Sequence, residues 1–284
     1  MTAQMQGSLD VRRLCALAGV SRAGFYRYRQ EQAPARADAE LRDMIQKLSL
    51  KHRHYGYRRI AAQLHRDGVP VNAKRVLRLM REDNLLCMRT RPYVPRTTDS
   101  RHGYRILPNL VRGLVPSGID QIWVADITYV RLVEAFVYLA VILDAFSRRV
   151  IGWALDDHLE ARLALHARDM AIAARKPQAG SLIHHSDRGV QYACSDYANR
   201  LDSQGIRISM SGVANPYDNA KAESFMKTLK AEEVNGKSYT TLDHARRDIA
   251  IFLETTYNRE RLHSALGYQP PVEFEAGLNQ PQTR

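Results

Sequence analysis

The sequence predicts an α/β chain: a mixed five-stranded sheet flanked by helices, preceded by all-α segments of helix-turn-helix outline. Three observations carry this. The β-rich runs "IWVADITYV", "FVYLAVILDAF" and "RVIGWAL" follow one another with short connections, the spacing of antiparallel neighbours. Beyond them strand and helix patterns alternate, which sets helices against a sheet. Ahead of Ile119, apolar residues recur at helical spacing and turn signals cut the pattern into short pieces.

Taken in order, residues 1–35 begin with "SLDVRRLCALAGVSRAGFYRYRQ". Leu14, Leu17 and Ala18 share a helical stripe, Gly19 marks a turn, and Ser21 caps a second helix carrying Phe25 and Tyr26. Two short helices about a glycine turn suit a helix-turn-helix or any small bundle. Residues 36–88 repeat the theme. Leu41, Ile45 and Leu48 form one stripe, Ile60, Ala61 and Leu64 another, and Asn72 caps a third helix whose inner face is Val76, Leu79 and Met80. On that last helix Lys74, Arg78 and Arg81 recur at i, i+4 and i+7, with Arg75 beside them. A recognition helix occupies this place in a trihelical unit, so these residues, with Arg58 and Arg59 on the helix before, read as a DNA-contacting face. An ordinary solvated face has the same appearance. Phosphate contacts of this kind supply salt-sensitive affinity and no sequence reading of their own.

Residues 89–118, opening with "RTRPYVPRTTDSRHGYR", read as an extended basic linker. Residues 119–284 then hold the sheet. After its three antiparallel runs come a helix ("ARLALHARDMAIAARK"), a fourth strand ("SLIHHSD"), a helix ("SDYANRLDSQG") and a short fifth strand ("IRISM"). Helices at "DNAKAESFMKTLKAE" and "TLDHARRDIAIFLETTYN" complete the pattern.

Charge separates the two parts. Of 42 Lys and Arg and 30 Asp and Glu, residues 1–115 hold 23 basic and 9 acidic, while the remainder is close to neutral. An excess confined to one part points to a module for a polyanion, nucleic acid first. A basic membrane-surface helix fits less well, because no broad Leu/Phe/Trp face opposes the basic residues. The longest apolar run, Phe136 to Leu143, is far short of the roughly 18 residues that span a bilayer. "MTAQMQGSLDVRRLC" lacks the basic-then-apolar order of an export signal. Cys15, Cys87 and Cys194 are too scattered for a zinc framework, which leaves them as small hydrophobes in a reducing compartment. The expected location is the cytoplasm.

Three acids stand out by position. Asp126 sits inside the first strand between Val124 and Ile127, where an unpaired carboxylate is costly. Asp187 ends the fourth strand, just before Gly189, which is read here as letting the chain turn. Glu223 lies in a helix that follows the loop "GVANPYDN". Taken singly, a strand acid is often hydrogen-bonded structure and a strand-end aspartate is often a cap. Together, mid-strand, end of the neighbouring strand and adjacent helix can converge above the sheet. Converging carboxylates repel, and a hard divalent cation relieves that. Oxygen-only ligands favour magnesium, with manganese as substitute, over zinc. Two such ions about 3.5–4 Å apart activate a water or a 3′-hydroxyl and stabilise a leaving oxygen.

The stretches "WVADITYV", "LDAFSRRVIGWAL", "HHSDRGVQY", "NPYDNAKAESFMKTLK" and "YNRERLHSALGYQPPVEF" resemble the successive signatures of OrfB-type DDE transposases of bacterial insertion sequences. The resemblance covers roughly Ile119 to Phe274, and the YGYRRI/VNAKRVLRLM region is similar to the helix-turn-helix that precedes that core. Asp187 and Glu223 enclose 35 residues, the gap in the D,D-35-E label of the group. The resemblance implies a ribonuclease H-like, retroviral-integrase-like core with magnesium-dependent endonuclease and strand-transfer activity. It also implies binding to terminal inverted repeats and target DNA. Asp126, Asp187 and Glu223 match the family's metal-binding triad, and Lys230 matches a basic residue that contacts DNA near it. Lys227 is a second candidate on the same helix, and Arg188 leans toward phosphate. The family joins an element's own ends into a circle before integration, which requires at least two copies on DNA. A first-frame OrfA partner is often fused by frameshifting. No leucine-zipper-like heptad segment is present here, which suits the second frame alone.

Departures are small: Ala125 stands where threonine is common, and "NAKAES" replaces "NAPMES". Within "IHHSDRGVQY", strand alternation sets His185 on the face of Asp187, where it either orients that acid and DNA or simply packs. Asp144 is a further candidate for support of the acids. "HARR" with Tyr257 has the outline of a tyrosine recombinase but reads as an amphipathic helix. Asp156, Asp157 and Asp218 read as loop and helix-start acids, and His52 and His54 have no CxxC to complete a zinc site. The rival function is a non-catalytic end-binding regulator that uses the core to dimerise.

Overall fold

The computed structural model describes residues 11–32, 36–85, 87, 106–212 and 219–278. Most of the expected linker, residues 89–105, and the loop 213–218 with Asp218 therefore lie outside the described residues. The chain divides into two units, Met1–Cys87 and Met88–Arg284.

In the first unit, α1 (Val11–Leu17) and α2 (Arg22–Gln32) flank Gly19, which takes φ +64°. Ser21 caps α2 as expected, its Oγ accepting the Gly24 N–H at 3.0 Å. The stripe is not the buried one, however. Cys15 is the buried residue of α1, and Leu17 is 75% exposed. Three further helices follow: α3 (Arg36–Lys51), α4 (Tyr57–Arg66) and α5 (Ala73–Glu82). They close on Leu41, Ile45, Ile60, Leu64, Val76, Leu79 and Met80, all buried. Asn72 starts α5 by accepting the Lys74 N–H at 2.8 Å.

The second unit is built on five strands: β1 (Ile122–Arg131), β2 (Phe136–Asp144), β3 (Val150–Asp156), β4 (Ile183–Ser186) and β5 (Arg207–Met210). Their order is β3-β2-β1-β4-β5. The first three pair antiparallel, with Asp126 opposite Val141, and β4 and β5 join parallel to β1, with Val124 opposite His185. One face packs on α6 (Ala161–Arg175), the short α7 (Val190–Ala193) and α8 (Ser195–Asp202). Trp123, Ala140, Ile142, Leu163, Ala167, Ala171, Tyr197 and Leu201 fill that layer. Alternation sends Val124, Val130, Leu139 and Val141 to the other face, against α9 (Ala220–Leu229) and α10 (Leu242–Ile251). There they meet Phe225, Met226, Leu229 and Ile249. Each such fully buried aliphatic side chain contributes about 1.5–3 kcal/mol.

Both edges of the sheet are covered. At β3 the Asn258 side chain acts as a strand fragment: its Nδ2 donates to the Val150 carbonyl at 2.8 Å and its Oδ1 accepts the Val150 N–H at 3.0 Å. At β5 the Leu110 N–H donates to Ser209 Oγ at 2.8 Å, so the segment before β1 lies along that edge.

The last helix, α11 (Pro271–Leu278), is latched through buried Glu275. Its carboxylate accepts from Ser147 Oγ and Arg149, each at 2.6 Å, and pairs with Arg175. Burial alone would raise its pKa. The Arg175, Ser147 and Arg149 hydrogen bonds outweigh that and hold it below the usual 4.5. A depressed carboxylate stabilises above its unfolded pKa and loses that contribution as pH falls through its folded one. Glu275→Gln is therefore expected to cost about 2 kcal/mol at pH 7. In thermal melts the gap from wild type closes as pH drops below about 4.5; a gap that stays constant down to pH 3 contradicts this.

Candidate active site

Two residues beyond the Val124–His185 pair come Asp126, still inside β1, and Asp187, one residue past the end of β4. Ligand sites of α/β sheets lie at such carboxyl ends of parallel strands. Alternation aims both acids at the face covered by α9. That helix is anchored where it matters: Asn219 at its start donates Nδ2 to the Ala125 carbonyl at 3.1 Å, next to Asp126. Glu223 sits in the first turn, its N–H donating to the Asn219 carbonyl at 3.0 Å. Asp126 accepts the Ile127 N–H at 2.8 Å, and Asp187 accepts the Gly189 N–H at 2.9 Å.

The electrostatics follow from this gathering. Burial and then the charge of Asp187 push the Asp126 carboxyl up to about 7. The Ile127 N–H opposes, Glu223 adds to the rise, and Lys230 works against it. Lys230 in turn has its pKa lowered by burial, with Asp126 opposing. The oxygens of the three carboxylates do not all fall within 4.8 Å of one another. Among the described residues only Asp156, Asp157 and His158 do, at the far end of β3, where Arg162 also lies within 3.7 Å of Asp156.

Other expected residues are placed differently. Asp144 is not part of this group. Its carboxylate is fully buried at the end of β2, accepting the N–H groups of Asp120, Phe146 and Ser147 at 2.6, 2.9 and 2.8 Å. It pairs with Trp123, three residues before Asp126. His185 is buried between strands, its Nδ1 and Nε2 hydrogen-bonded to Ser209 and Ser211 at 2.9 and 3.1 Å. Arg188 gives its Nε to the Ser211 carbonyl at 2.6 Å. Gly189 has φ −62°, which any residue adopts. A Cβ there would meet the Asp187 carboxylate oxygen at 3.0 Å, so glycine makes room for that carboxylate rather than for a turn.

Residues 116–216 and 204–271 match models described as integrase core domains, and residues 35–93 match an HTH-like domain. The chain is 37% identical over 274 residues to the IS600 "uncharacterized 31 kDa protein" of Shigella sonnei, covering 94% of this chain and 99% of that one. It is 33% identical over 276 residues to the transposase InsF for insertion sequence IS3A of Escherichia coli K12, covering 95% of each. The chain belongs to the insertion-sequence transposases. A further relative, the transposase for element IS904 of Lactococcus lactis, is 36% identical over 85% of this chain and 97% of its own length.

The chain is thus an enzyme, a transposase with an integrase-type core of the DDE class. No helix among the described residues is long and apolar enough to cross a membrane. In the HTH-like unit of this transposase, Lys74, Arg75, Arg78 and Arg81 are all exposed along α5, as the stripe predicts. Two of the four are engaged within the protein. Arg75 pairs with Asp38 of α3, and Arg78 pairs with both Asp38 at 3.2 Å and Glu82 at 2.7 Å. Arg58 donates Nε to the Tyr57 hydroxyl at 3.1 Å, and Arg59 lies over the Tyr55 ring at 5.6 Å. Lys227 is exposed on α9, and Lys230 lies over the ring of Tyr129. Asn219 and Tyr129 are the transposase residues that sequence reasoning passed over. An asparagine before a helix reads as a cap, and Tyr129 reads as ordinary strand.

Proposed function

We propose that this transposase binds the terminal inverted repeats of its element and cuts and joins DNA strands with a divalent metal held by Asp126, Asp187 and Glu223. The observation that carries the reading is the placement of Asp126, Asp187 and the Glu223 helix together at the carboxyl ends of β1 and β4, where burial, Asp187 and Glu223 push the Asp126 carboxyl up to about 7. Such a group is costly to ionise alone and cheap to ionise beside a cation. The donor set fits a hard ion: three carboxylates, with both nitrogens of nearby His185 committed to serines. Magnesium suits it first and manganese second. When bound, the metal supplies Lewis-acid polarisation of a phosphodiester and lowers the pKa of water or a 3′-hydroxyl.

The protein's own groups orient and bind. The Ile127 and Gly189 N–H groups fix the two aspartates, and Asn219 fixes the helix that carries Glu223. Lys230 and exposed Lys227 lie along the same helix to meet phosphates. The basic face of α5 grips the element end, and two ends call for at least two copies of the chain, with a first-frame OrfA protein as a further partner. No side chain becomes covalently linked to DNA. Incubation with DNA bearing a terminal repeat is expected to give nicked and then joined products with magnesium or manganese, and neither with EDTA. Joining that persists in EDTA would sink the metal reading, and nicks without joined product would reduce the enzyme to a nuclease.

A further inference from the structure

At Lys230 the helix α9 changes character. From Lys230 to Val234 the backbone widens into a π turn, with the Asn235 N–H donating to the Lys230 carbonyl at 2.8 Å. Such single wide turns are rare and recur at functional sites. Side-chain contacts hold this one, among them Lys237 Nζ donating to Glu233 at 2.6 Å. Arg261 donates Nε and Nη2 to Glu232 at 2.9 and 2.7 Å, and Glu233 accepts the Tyr239 hydroxyl at 3.0 Å. Arg261 belongs to "YNRERLHSALGYQPPVEF", so that stretch braces the turn from which Lys230 projects.

The Lys230 ammonium lies 4.0 Å from the centre of the Tyr129 ring. Phe136, from the neighbouring strand, packs edge-on against that ring, with centroids 5.7 Å apart and planes at 73°. A phenol ring presents a negative face to a cation. Lys230 forms no ion pair within 4.0 Å among the described residues, although the Asp126 charge reaches it. A flexible four-carbon side chain within reach of the charge of a half-buried carboxylate would otherwise close onto it. That would occupy a metal ligand and cancel the charge meant for DNA.

Building on the function proposed above, we infer that Tyr129 is a positioning residue: its ring holds the Lys230 ammonium off Asp126 and presents it to a DNA phosphate beside the carboxylates.

The test compares Tyr129→Phe, Tyr129→Leu, Lys230→Met and the double variant Tyr129→Leu/Lys230→Met on terminal-repeat DNA. It reads kcat and KM for joining, and the slope of log Kd against log salt. Tyr129→Phe keeps the ring and should stay within about twofold of wild type. Tyr129→Leu and Lys230→Met should each raise KM about tenfold and lower the salt slope by about one phosphate contact. The double variant should be no worse than either single one, because one interaction is lost only once. Losses that multiply in the double variant, or a Tyr129→Leu protein with wild-type KM and slope, would overturn the inference. Trifluorophenylalanine at position 129 keeps the ring volume and removes its negative face, so it serves if the leucine variant does not fold; KM equal to that of Tyr129→Phe would count against the idea. Because the salt slope needs no chemistry, a wild-type protein that binds but never joins would refute the metal reading and leave this arm intact.

Discussion

Asp126→Asn is expected to reduce strand joining by about a thousandfold or more, the scale of losing a group on which transition-state charge stabilisation depends. Binding to terminal-repeat DNA should survive, since the basic face of α5 is untouched. Stability should move the opposite way. In wild type without metal, a carboxyl whose folded pKa of about 7 exceeds its unfolded 3.8 costs nothing at low pH. Its penalty grows as pH rises from about 4 and is complete above about 7. The asparagine variant escapes it, so in EDTA it should match wild type near pH 4 and exceed it by about 1–3 kcal/mol at pH 8. An enzyme made inactive and more stable by one substitution marks a residue kept for chemistry. Retained joining would remove Asp126 from the metal-binding set, and a loss of stability at pH 8 would point to a structural role for this carboxylate.

Gly152→Ala is expected to be the most damaging methyl group that the core can receive. Gly152 lies in β3 opposite Ile142, under α6. A Cβ there would stand 2.2 Å from the Ala167 carbonyl oxygen, 2.9 Å from the Ala171 nitrogen and 2.8 Å from its Cβ. Two of these neighbours are backbone, so no side chain can swing aside. Either α6 lifts from the sheet, opening the layer between Ala140 and Ala171, or the strand shifts. Overpacking usually costs about 1–3 kcal/mol; with backbone in the way the expected loss lies at or above the top of that range. Gly236→Ala is the matching control, since nothing lies within 4 Å of the added carbon, and it should stay within about 0.5 kcal/mol. Thermal melting of both proteins decides it. A Gly152→Ala protein that melts with the control would mean that the strand and α6 are less tightly held than their spacing indicates.

The strands and the three acids were legible because each contradicts or matches its immediate surroundings. Asp126 interrupts an apolar run, Asp187 closes one, and the helix of Glu223 follows at a telling distance. What stayed hidden depends on residues far apart in the chain. Arg75 and Arg78 lie on a clean basic stripe, yet Asp38, 37 and 40 positions earlier, binds both. Asp144 looks like a neighbour of the acids until the antiparallel register sets it opposite Trp123, three residues short of Asp126 on β1. The wide turns at Lys230–Val234 and Phe252–Glu260 leave the apolar periodicity nearly intact, so they pass for continuous α-helix. Glycine at 189 invites a conformational explanation, whereas its value is the space it leaves for a carboxylate.

The covered sheet edges bear on how copies of this chain can coexist. Two proteins held on neighbouring DNA ends meet at a very high effective concentration, and an open strand beside an identical open strand would then zip into a continuous sheet. Asn258 removes that opportunity at Val150 by supplying both hydrogen bonds from its own amide, and the segment at Leu110 does so along β5. Sheet-to-sheet pairing is thereby blocked at these two positions, so a contact between copies has to be built from other surfaces.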